Sequence, residues 1–211
     1  NYKNVYIKDT STIAGPYEKD GPLKKYFDKT YGDLYFGEKS FEKAEVKLVK
    51  DALVLLMKKC GLKKENIELT IGGDLLNQIT ASTYGTYSVG NAFIGIYGAC
   101  STMAEALAVG SSFVDSGYFD CVACATGTHF STVERQYRYP LELGNQRPPV
   151  SQWTVTGAGC TILGKKGSDI EISSATFGKV TDYGIMDVNN MGAAMAPAAM
   201  RTITTHFKDT K

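Results

Sequence analysis

No apolar run in this sequence approaches the roughly 18 residues that a membrane-spanning helix needs. The polar stretch of residues 1–17 also lacks the hydrophobic segment of a signal peptide. We therefore expect a soluble chain that is made in the cytoplasm.

The sequence also lacks an excess of charge of either sign. Its 23 Lys and Arg residues are matched by 22 Asp and Glu residues, which leaves a formal net charge of +1. No long-range field then attracts a polyanion, so we expect no nucleic-acid partner. A charged ligand has to be bound by local groups instead.

Cysteine gives no sign of a disulfide framework or a metal site. Of the five cysteines, an odd number, Cys121 and Cys124 fall on a predicted buried strand. This placement argues against disulfides and favours a reducing compartment. No ligand spacing of the EF-hand type occurs, so the residues predict no metal and no bound cofactor.

What the sequence does contain is a globular composition, with 43% hydrophobic and 21% charged residues. Residues 1–40, rich in Lys, Gly, Tyr and Asp, are predicted to form an irregular N-terminal arm. Residues 41–180 are predicted to form the main α/β unit. Residues 181–211 are predicted to hold a connection and a helix over 197–207, which repeats the pattern of an earlier helix. With a first residue that is not Met, this pattern predicts part of a longer, internally duplicated protein.

Helix and strand patterns alternate within the main unit. The helix at residues 41–60 is the clearest, because Ser40 is placed as its N-cap and Gly61 as its C-cap. Further helices are predicted over residues 75–88 and 103–114, and strands over residues 67–71, 92–96, 118–125, 153–163 and 170–177. This order contains a βαβ unit and predicts a parallel sheet with a right-handed crossover.

The most informative segment for function is the strand, turn and helix around Cys100. A cysteine at the start of a helix lies among unpaired backbone N–H groups and at the positive end of the helix dipole, which favours a thiolate and attracts anions. The small neighbours Gly98, Ala99 and Ser101 leave room for a ligand. The alternative is that Cys100 is a small buried hydrophobic residue, and the residue types alone do not decide between the two.

Further polar residues follow the ends of predicted strands, where α/β proteins commonly bind ligands. Asp74, Asn77 and Gln78 follow one strand, and His129 follows another. We expect their side chains to meet Cys100 at one edge of the sheet. The alternatives are a helix cap for Asp74, solvated amides, and an ordinary hydrogen-bonding role for His129.

A basic and aromatic stretch comes next. Arg135 and Arg138 alternate with Tyr137 and Tyr139, and Arg147 follows. Arginine forks suit carboxylates and tyrosine faces suit a flat ring, so these residues are candidates for binding a flat anion. A salt-bridged partner surface explains the arginines equally well.

Five segments of the chain, in the same order, resemble the stage V sporulation protein AD family of endospore-forming Gram-positive bacteria. The segments are residues 72–78, 97–102, 134–140, 154–159 and 191–199. The resemblance implies an α/β fold of the thiolase-like type, a pseudo-duplicated βαβαβαββ unit of which this chain is the N-terminal half.

The same resemblance implies a function. The family is expected to bind dipicolinic acid, which is pyridine-2,6-dicarboxylate, or its calcium chelate, without converting it. The protein is expected to act in loading the spore and in release at germination, peripherally on the spore inner membrane and with membrane proteins of the spore channel complex. A Ca²⁺ ion beside Asp74 would offset its repulsion of the dianion. The residues expected to bind the ligand are Asp74, Asn77, Gln78, Cys100, Ser101, Thr102, His129, Arg135 and Arg138.

Two other functions stay open. In thiolases and ketoacyl synthases the cysteine that matches Cys100 is the acylated nucleophile, so an acyltransferase is one alternative. Those enzymes take their histidine from the C-terminal half, so the resemblance gives His129 no catalytic role. A scaffold with a vestigial pocket is the other alternative. The uncovered face of a half-fold also favours a homodimer or aggregation.

Overall fold

The computed structural model describes residues 1–139, 153–166 and 168–210, which form a mixed six-stranded sheet with helices packed on both faces. The strands are β1 (Tyr6–Ala14), β2 (Lys29–Thr30), β3 (Leu69–Asp74), β4 (Ala92–Gly95), β5 (Cys121–Thr128) and β6 (Gly157–Gly164). The helices are α1 (Pro16–Asp20), α2 (Phe41–Cys60), α3 (Thr80–Tyr87), α4 (Thr102–Ser116) and α5 (Met191–Asp209).

The sheet has a parallel part and an antiparallel part, in the strand order β2-β1-β6-β5-β3-β4. β3 pairs in parallel with β4 and with β5, whereas β6 runs antiparallel to β5 and to β1. α3 connects β3 to β4 and α4 connects β4 to β5, so the predicted βαβ arrangement is confirmed. The carboxyl ends of β3 and β5 consequently lie at the same edge of the sheet.

β5 is buried on both faces of the sheet, which explains why its sequence is apolar without alternation. Ala123 belongs to the core beneath α2, whereas Val122 belongs to the core beneath α4. Successive strand residues alternate between faces, so Cys121 and Cys124 fall in different cores. All five cysteines are free thiols, as their pattern predicted.

The longest helix on the first face, α2, has the ends that the sequence predicted. Ser40 Oγ accepts a hydrogen bond from the N–H of Lys43 at 3.3 Å, which satisfies one of the unpaired donors of the first turn. Gly61 ends the helix in the left-handed conformation with a φ of 63°, which glycine adopts without steric cost.

The N-terminal region differs from the predicted irregular arm. It contributes β1, which pairs with β6 from Tyr6 to Ala14 and therefore lies inside the sheet. The polar residues of β1 concealed the strand. Ser11, for example, can be buried without leaving its hydroxyl unpaired, because the hydroxyl donates to the carbonyl oxygen of Ala52 at 2.7 Å. Between residues 15 and 40 only α1, β2 and a 3-10 turn at Lys24–Tyr26 are regular.

Residues 1–5 run across α4 and hold its middle and far end. The hydroxyl of Tyr2 donates to the carbonyl oxygen of Ala108 at 2.9 Å, and the N–H of Lys3 donates to Asp115 Oδ1 at 2.8 Å. Val5 is fully buried in the core beneath α4. This N-terminal strap therefore packs along α4 and contributes Val5 to the core between the helix and the sheet.

Two predicted elements near the C-terminus were wrong in extent. The predicted strand at residues 170–177 pairs with residues 2–7 through three backbone hydrogen bonds but forms only one isolated bridge, between Tyr6 and Glu171. The predicted helix at 197–207 begins earlier, because Asn190 caps it by accepting from the N–H of Ala193 at 3.1 Å. No helix among the described residues combines the length and the hydropathy that crossing a membrane requires.

Candidate functional site

A cavity of about 820 Å³ opens at the carboxyl ends of β3 and β5. Asp74 ends β3 there, and Thr126 to Thr128 end β5. The turn that carries Cys100 and the first residues of α4 form the adjoining wall. The other lining residues include Ile13, Phe27, Met103, Tyr137, Trp153, Thr154, Met191 and Met195. The predicted edge of the sheet is therefore where the structure has its candidate site.

Cys100 is exposed and lines this cavity, which rules out the alternative of a small buried residue. It lies in the 3-10 turn Ala99–Ser101 directly before α4. Ala99 has a φ of 48°, an uncommon conformation for a residue with a Cβ atom, so the turn is sharp. Thr102 Oγ1 fixes the turn by accepting from the N–H of Gly98 at 3.1 Å and donating to the carbonyl oxygen of Ala99 at 2.8 Å.

Two glycines allow the strand beneath this turn to fit. A Cβ atom on Gly73 would lie 2.0 Å from the carbonyl oxygen of Ile96, and one on Gly72 would lie 2.2 Å from that of Ala125. No side chain fits at either distance. The Gly72-Gly73 pair therefore lets β3 approach its neighbours closely enough to bring Asp74 to the cavity wall.

Asp74 is only 2% exposed, and both oxygens of its carboxylate already accept backbone hydrogen bonds. Oδ1 accepts from the N–H of Leu76 at 2.9 Å and Oδ2 accepts from the N–H of Ser82 at 2.7 Å. Burial raises the pKa of Asp74, although these hydrogen bonds oppose the shift. The structure thus favours the helix-cap alternative for Asp74, because Ser82 lies in the first turn of α3.

The two amides and Ser101 lie outside the cavity lining. Asn77 and Gln78 are exposed in the turn Asn77–Ile79, where Gln78 and Ile79 both have left-handed φ values of 59° and 49°. Ser101 is exposed too, and its hydroxyl donates to the carbonyl oxygen of Gly98 at 2.8 Å. Of the candidates next to Cys100, Thr102 is the one that lines the cavity.

His129 does not lie at the cavity, which corrects its predicted position. It is 0% exposed, Nε2 lies 2.8 Å from the carbonyl oxygen of Leu34, and Nδ1 accepts from the N–H of Ser131 at 3.0 Å. Its ring packs against Phe36 and Phe41. Burial lowers the pKa of His129, although the contact with Leu34 opposes the shift. β5 continues to Thr128, beyond its predicted end at residue 125, and His129 directly after it is held against residues 34–41 instead of facing the cavity.

The arginines do not form the expected anion-binding fork in the described cavity. Arg135 is exposed, and Arg138 Nη1 lies 3.5 Å from the carbonyl oxygen of Ser131. Tyr137, which lies between them, does line the cavity, and its hydroxyl is 2.9 Å from that of Tyr97. Arg147 lies outside the described residues.

Apart from Tyr137, the sequence did not indicate the apolar and aromatic side chains that line the cavity. Phe27, Trp153 and three methionines line the cavity, and Asp74 is the sole Asp, Glu, Lys or Arg among the described lining residues. Nothing local distinguished them, since Trp153 falls in a predicted strand and Phe27 in the predicted arm. The part of the chain that the structure describes contains no group of three His, Cys, Asp or Glu side chains suited to a metal ion.

Solved structures with the same fold include OleA and a 3-oxoacyl-(acyl carrier protein) synthase III. A variant of OleA from Xanthomonas campestris, bound with cerulenin, matches 96% of this chain and 70% of its own with a TM-score of 0.61 at 12% identity. The synthase III FabH from Xanthomonas oryzae matches 78% of this chain and 57% of its own with a TM-score of 0.51 at 14% identity. At such identities the likeness shows the fold alone, which is thiolase-like.

Sequence comparison identifies the family. The curated stage V sporulation protein AD of Bacillus subtilis (strain 168) is 46% identical over 205 residues, which are 97% of this chain and 61% of that protein. This chain therefore spans less than two thirds of the length of its relative. The family model described as stage V sporulation protein AD matches residues 2–211. The chain belongs to the stage V sporulation protein AD family.

Proposed function

We propose that this protein acts in sporulation and germination by binding dipicolinic acid, or its calcium chelate, without converting it. The observation that carries the proposal is the cavity beside Cys100, in a chain of this family. A volume of about 820 Å³ is ample for one flat ring with two carboxylates, and it lies within the usual range of small-molecule sites.

The start of α4 suits the carboxylates of this ligand. The positive end of the helix dipole faces the turn that carries Cys100 and favours an anion there, although the N–H groups of Ser101 and Thr102 already donate to Gly98 and Ala99. The hydroxyl groups of Thr102 and Thr154 also line the cavity, but each already donates its proton, to the carbonyl oxygens of Ala99 and Tyr137 at 2.8 Å. Thr128 Oγ1 is buried and has no hydrogen-bond partner among the described residues, so a bound carboxylate that reached this atom would satisfy it.

Cys100 has no base beside it in the described part of this chain, as is also expected for the N-terminal half of a thiolase-like enzyme, so binding without turnover is proposed from the family resemblance. In the described lining no imidazole accompanies Cys100, and both ring nitrogens of His129 are engaged away from the cavity. A cysteine nucleophile usually needs an adjacent base or a comparable activating group. We propose that Cys100 contributes shape and a weak hydrogen bond instead.

The location and partners are part of the same proposal. The protein would lie peripherally on the spore inner membrane and act with membrane proteins of the spore channel complex. The support for this comes from family membership alone. Co-purification from spore membranes with and without a salt wash tests it, and recovery of all the protein in the soluble fraction would contradict it.

Calorimetric titration tests the ligand. The protein is titrated with dipicolinate in the presence of a chelator, and in parallel with the preformed calcium chelate. Saturable heat in the titration with dipicolinate and chelator would show that the protein binds the free acid. Heat only in the titration with the calcium chelate would show that it binds the chelate. No heat with either ligand at millimolar concentration would overturn the proposal.

An acyltransferase is the second candidate, because the exposed Cys100 sits on a sharp turn directly before a helix. This function requires a thioester on Cys100, which adds the mass of the acyl group. Incubation with acetyl-CoA followed by intact-mass measurement detects it, and Cys100→Ser is the control. An unmodified protein would exclude the acyltransferase for this acyl donor.

A further inference from the structure

A fully buried carboxyl group lies against the turn that follows β5. Glu45 of α2 is 0% exposed. Its Oε2 accepts a hydrogen bond from the hydroxyl of Thr132, and its Oε1 is buried without a hydrogen-bond partner among the described residues. Removing a carboxylate from water is costly unless it is paired and hydrogen-bonded. The surroundings of Glu45 therefore favour its neutral, protonated form.

The charges that act on Glu45 from the described part of the chain are negative. They belong to Asp74, at the end of β3, and to Glu42, on the same helix. β5, β6 and α3 pack against α2 and contain no Asp, Glu, Lys, Arg or His. Lys8 and Asp9, the charged residues of β1, lie near the opposite end of α2. Ionisation of Glu45 would therefore add a third negative charge to two others.

The turn that contains Thr132 also forms part of the cavity wall. The N–H of Glu134 donates to the carbonyl oxygen of Leu75 at 3.2 Å, and the N–H of Tyr137 donates to that of Glu134 at 3.0 Å. Leu75 and Tyr137 both line the cavity. The imidazole of His129, at the start of the turn, is already bonded to the backbone of residues 34 and 131. Movement of this turn would therefore displace part of the wall.

We propose that Glu45 is a pH-sensitive switch: its protonated form holds residues 129–137 in the packed position, and its ionisation releases them and opens the cavity wall. The proton leaves to solvent, and the carboxylate that remains needs water as a hydrogen-bond donor. Ser131 and Thr132 are half-buried, so displacement of this turn lets water reach Glu45. The switch acts on the wall whichever ligand the cavity takes, so it does not depend on the function proposed above.

The pH range of the switch follows from the pKa of Glu45. Burial raises this pKa to about 8, Asp74 and Glu42 act in the same direction, and the hydroxyl of Thr132 opposes them. A released Glu45, in water, has the ordinary pKa of about 4.5. The advantage of the packed turn is therefore complete below about pH 4.5. Between there and about pH 8 the open population should rise by up to about tenfold per pH unit.

Hydrogen exchange of the protein without ligand tests the switch. Deuterium uptake by peptides that cover residues 129–137 is measured by mass spectrometry at roughly pH 6 and roughly pH 8, with exchange times corrected for the intrinsic rate at each pH. We expect the protection of these amides to fall at least about tenfold at the higher pH in the parent and to stay constant in Glu45→Gln. Glu42→Gln, at an exposed position of the same helix, should behave like the parent.

Peptides of α4 serve as the reference, because a global loss of stability would expose both regions. Equal loss of protection in α4 and in residues 129–137 would overturn the switch. So would a loss that persists in Glu45→Gln, or protection of residues 129–137 that does not change with pH. If Glu45→Gln does not fold, the comparison of the two regions in the parent protein decides by itself. Failure of dipicolinate to bind in calorimetry would overturn the proposed function and leave the switch intact.

Discussion

The carboxyl group of Glu45, fully buried on α2, is hydrogen-bonded to the hydroxyl of Thr132. The same Thr132 Oγ1 lies 3.0 Å from the carbonyl oxygen of His129. A hydroxyl has one proton to donate, so both contacts are satisfied only when Glu45 carries a proton of its own. Burial raises the pKa of Glu45 to about 8, with smaller contributions in the same direction from Asp74 and Glu42, while Thr132 opposes the shift.

This raised pKa predicts that stability falls as pH increases. Below the unfolded pKa of about 4.5 both states hold the proton, and above that value only the folded state does. The contribution of Glu45 is therefore lost between about pH 4.5 and about pH 8, at up to about 1.4 kcal/mol per pH unit.

The substitution Glu45→Gln isolates this effect because it keeps the shape and removes the titration. We expect the variant to gain stability relative to the parent as pH rises to 8, measured by urea unfolding across the pH range. Glu42→Gln, an exposed residue of the same helix whose pKa is lowered, is the control. A constant difference between Glu45→Gln and the parent across this range would contradict the prediction.

Asp74→Asn should destabilise the fold by about 1–2 kcal/mol, because the amide keeps one acceptor for the two N–H groups that the carboxylate now serves. Urea unfolding at neutral pH measures this. The exposed Asp20→Asn should change stability by less than about 0.5 kcal/mol. If Asp74→Asn weakens ligand binding and leaves stability unchanged, the carboxylate serves the ligand rather than α3.

Gly73→Ala should destabilise the fold by roughly 2–3 kcal/mol, since the new Cβ atom would meet the carbonyl oxygen of Ile96 at 2.0 Å. Gly192→Ala is the matched control, because a Cβ atom there meets nothing within 4 Å and alanine favours a helix. Thermal melting of both variants checks the prediction. Similar melting temperatures for the two would show that β3 can shift to make room.

Alkylation should distinguish Cys100 from the core thiols. Cys100 is exposed, whereas Cys124 is buried and its pKa is raised to about 12 by burial. We expect iodoacetamide to modify Cys100 at least about tenfold faster than Cys124, as followed by peptide mass spectrometry, because a buried protonated thiol is unreactive. Dipicolinate should slow the modification of Cys100. Undiminished labelling in saturating ligand would place the binding site elsewhere.

The parallel core of the fold could be predicted because its signals are local. α2 has its own caps, and β5 is apolar along its length because helices cover both of its faces. β1 could not be predicted in the same way. Its residues Lys8, Asp9 and Thr10 resemble a loop, and what makes them a strand is pairing with β6, near the other end of the main unit.

The candidate site could likewise be predicted only where its signals are local in the sequence. The sequence brought Cys100 and Asp74 to one edge, because parallel strands end together. It also offered a helix cap as the alternative role of Asp74, which the structure favours, but it did not indicate the left-handed conformations of Gln78 and Ile79 before α3. The predicted position of His129 was wrong. β5 ends at Thr128, three residues later than predicted, and His129 follows it directly. Trp153 depended on ring contacts with Phe130 and Tyr17, which no local pattern encodes.

The strap of residues 1–5 contacts the helix that starts beside Cys100. Tyr2 and Lys3 form hydrogen bonds with Ala108 and Asp115 of this helix, which lie further along the chain than the turn that carries the Cys100 thiol. Loss of these contacts would therefore loosen the middle and far turns of α4, while Thr102 continues to hold the turn that carries Cys100. Damage to the strap would lower the stability of the fold and leave the reactivity of Cys100 unchanged.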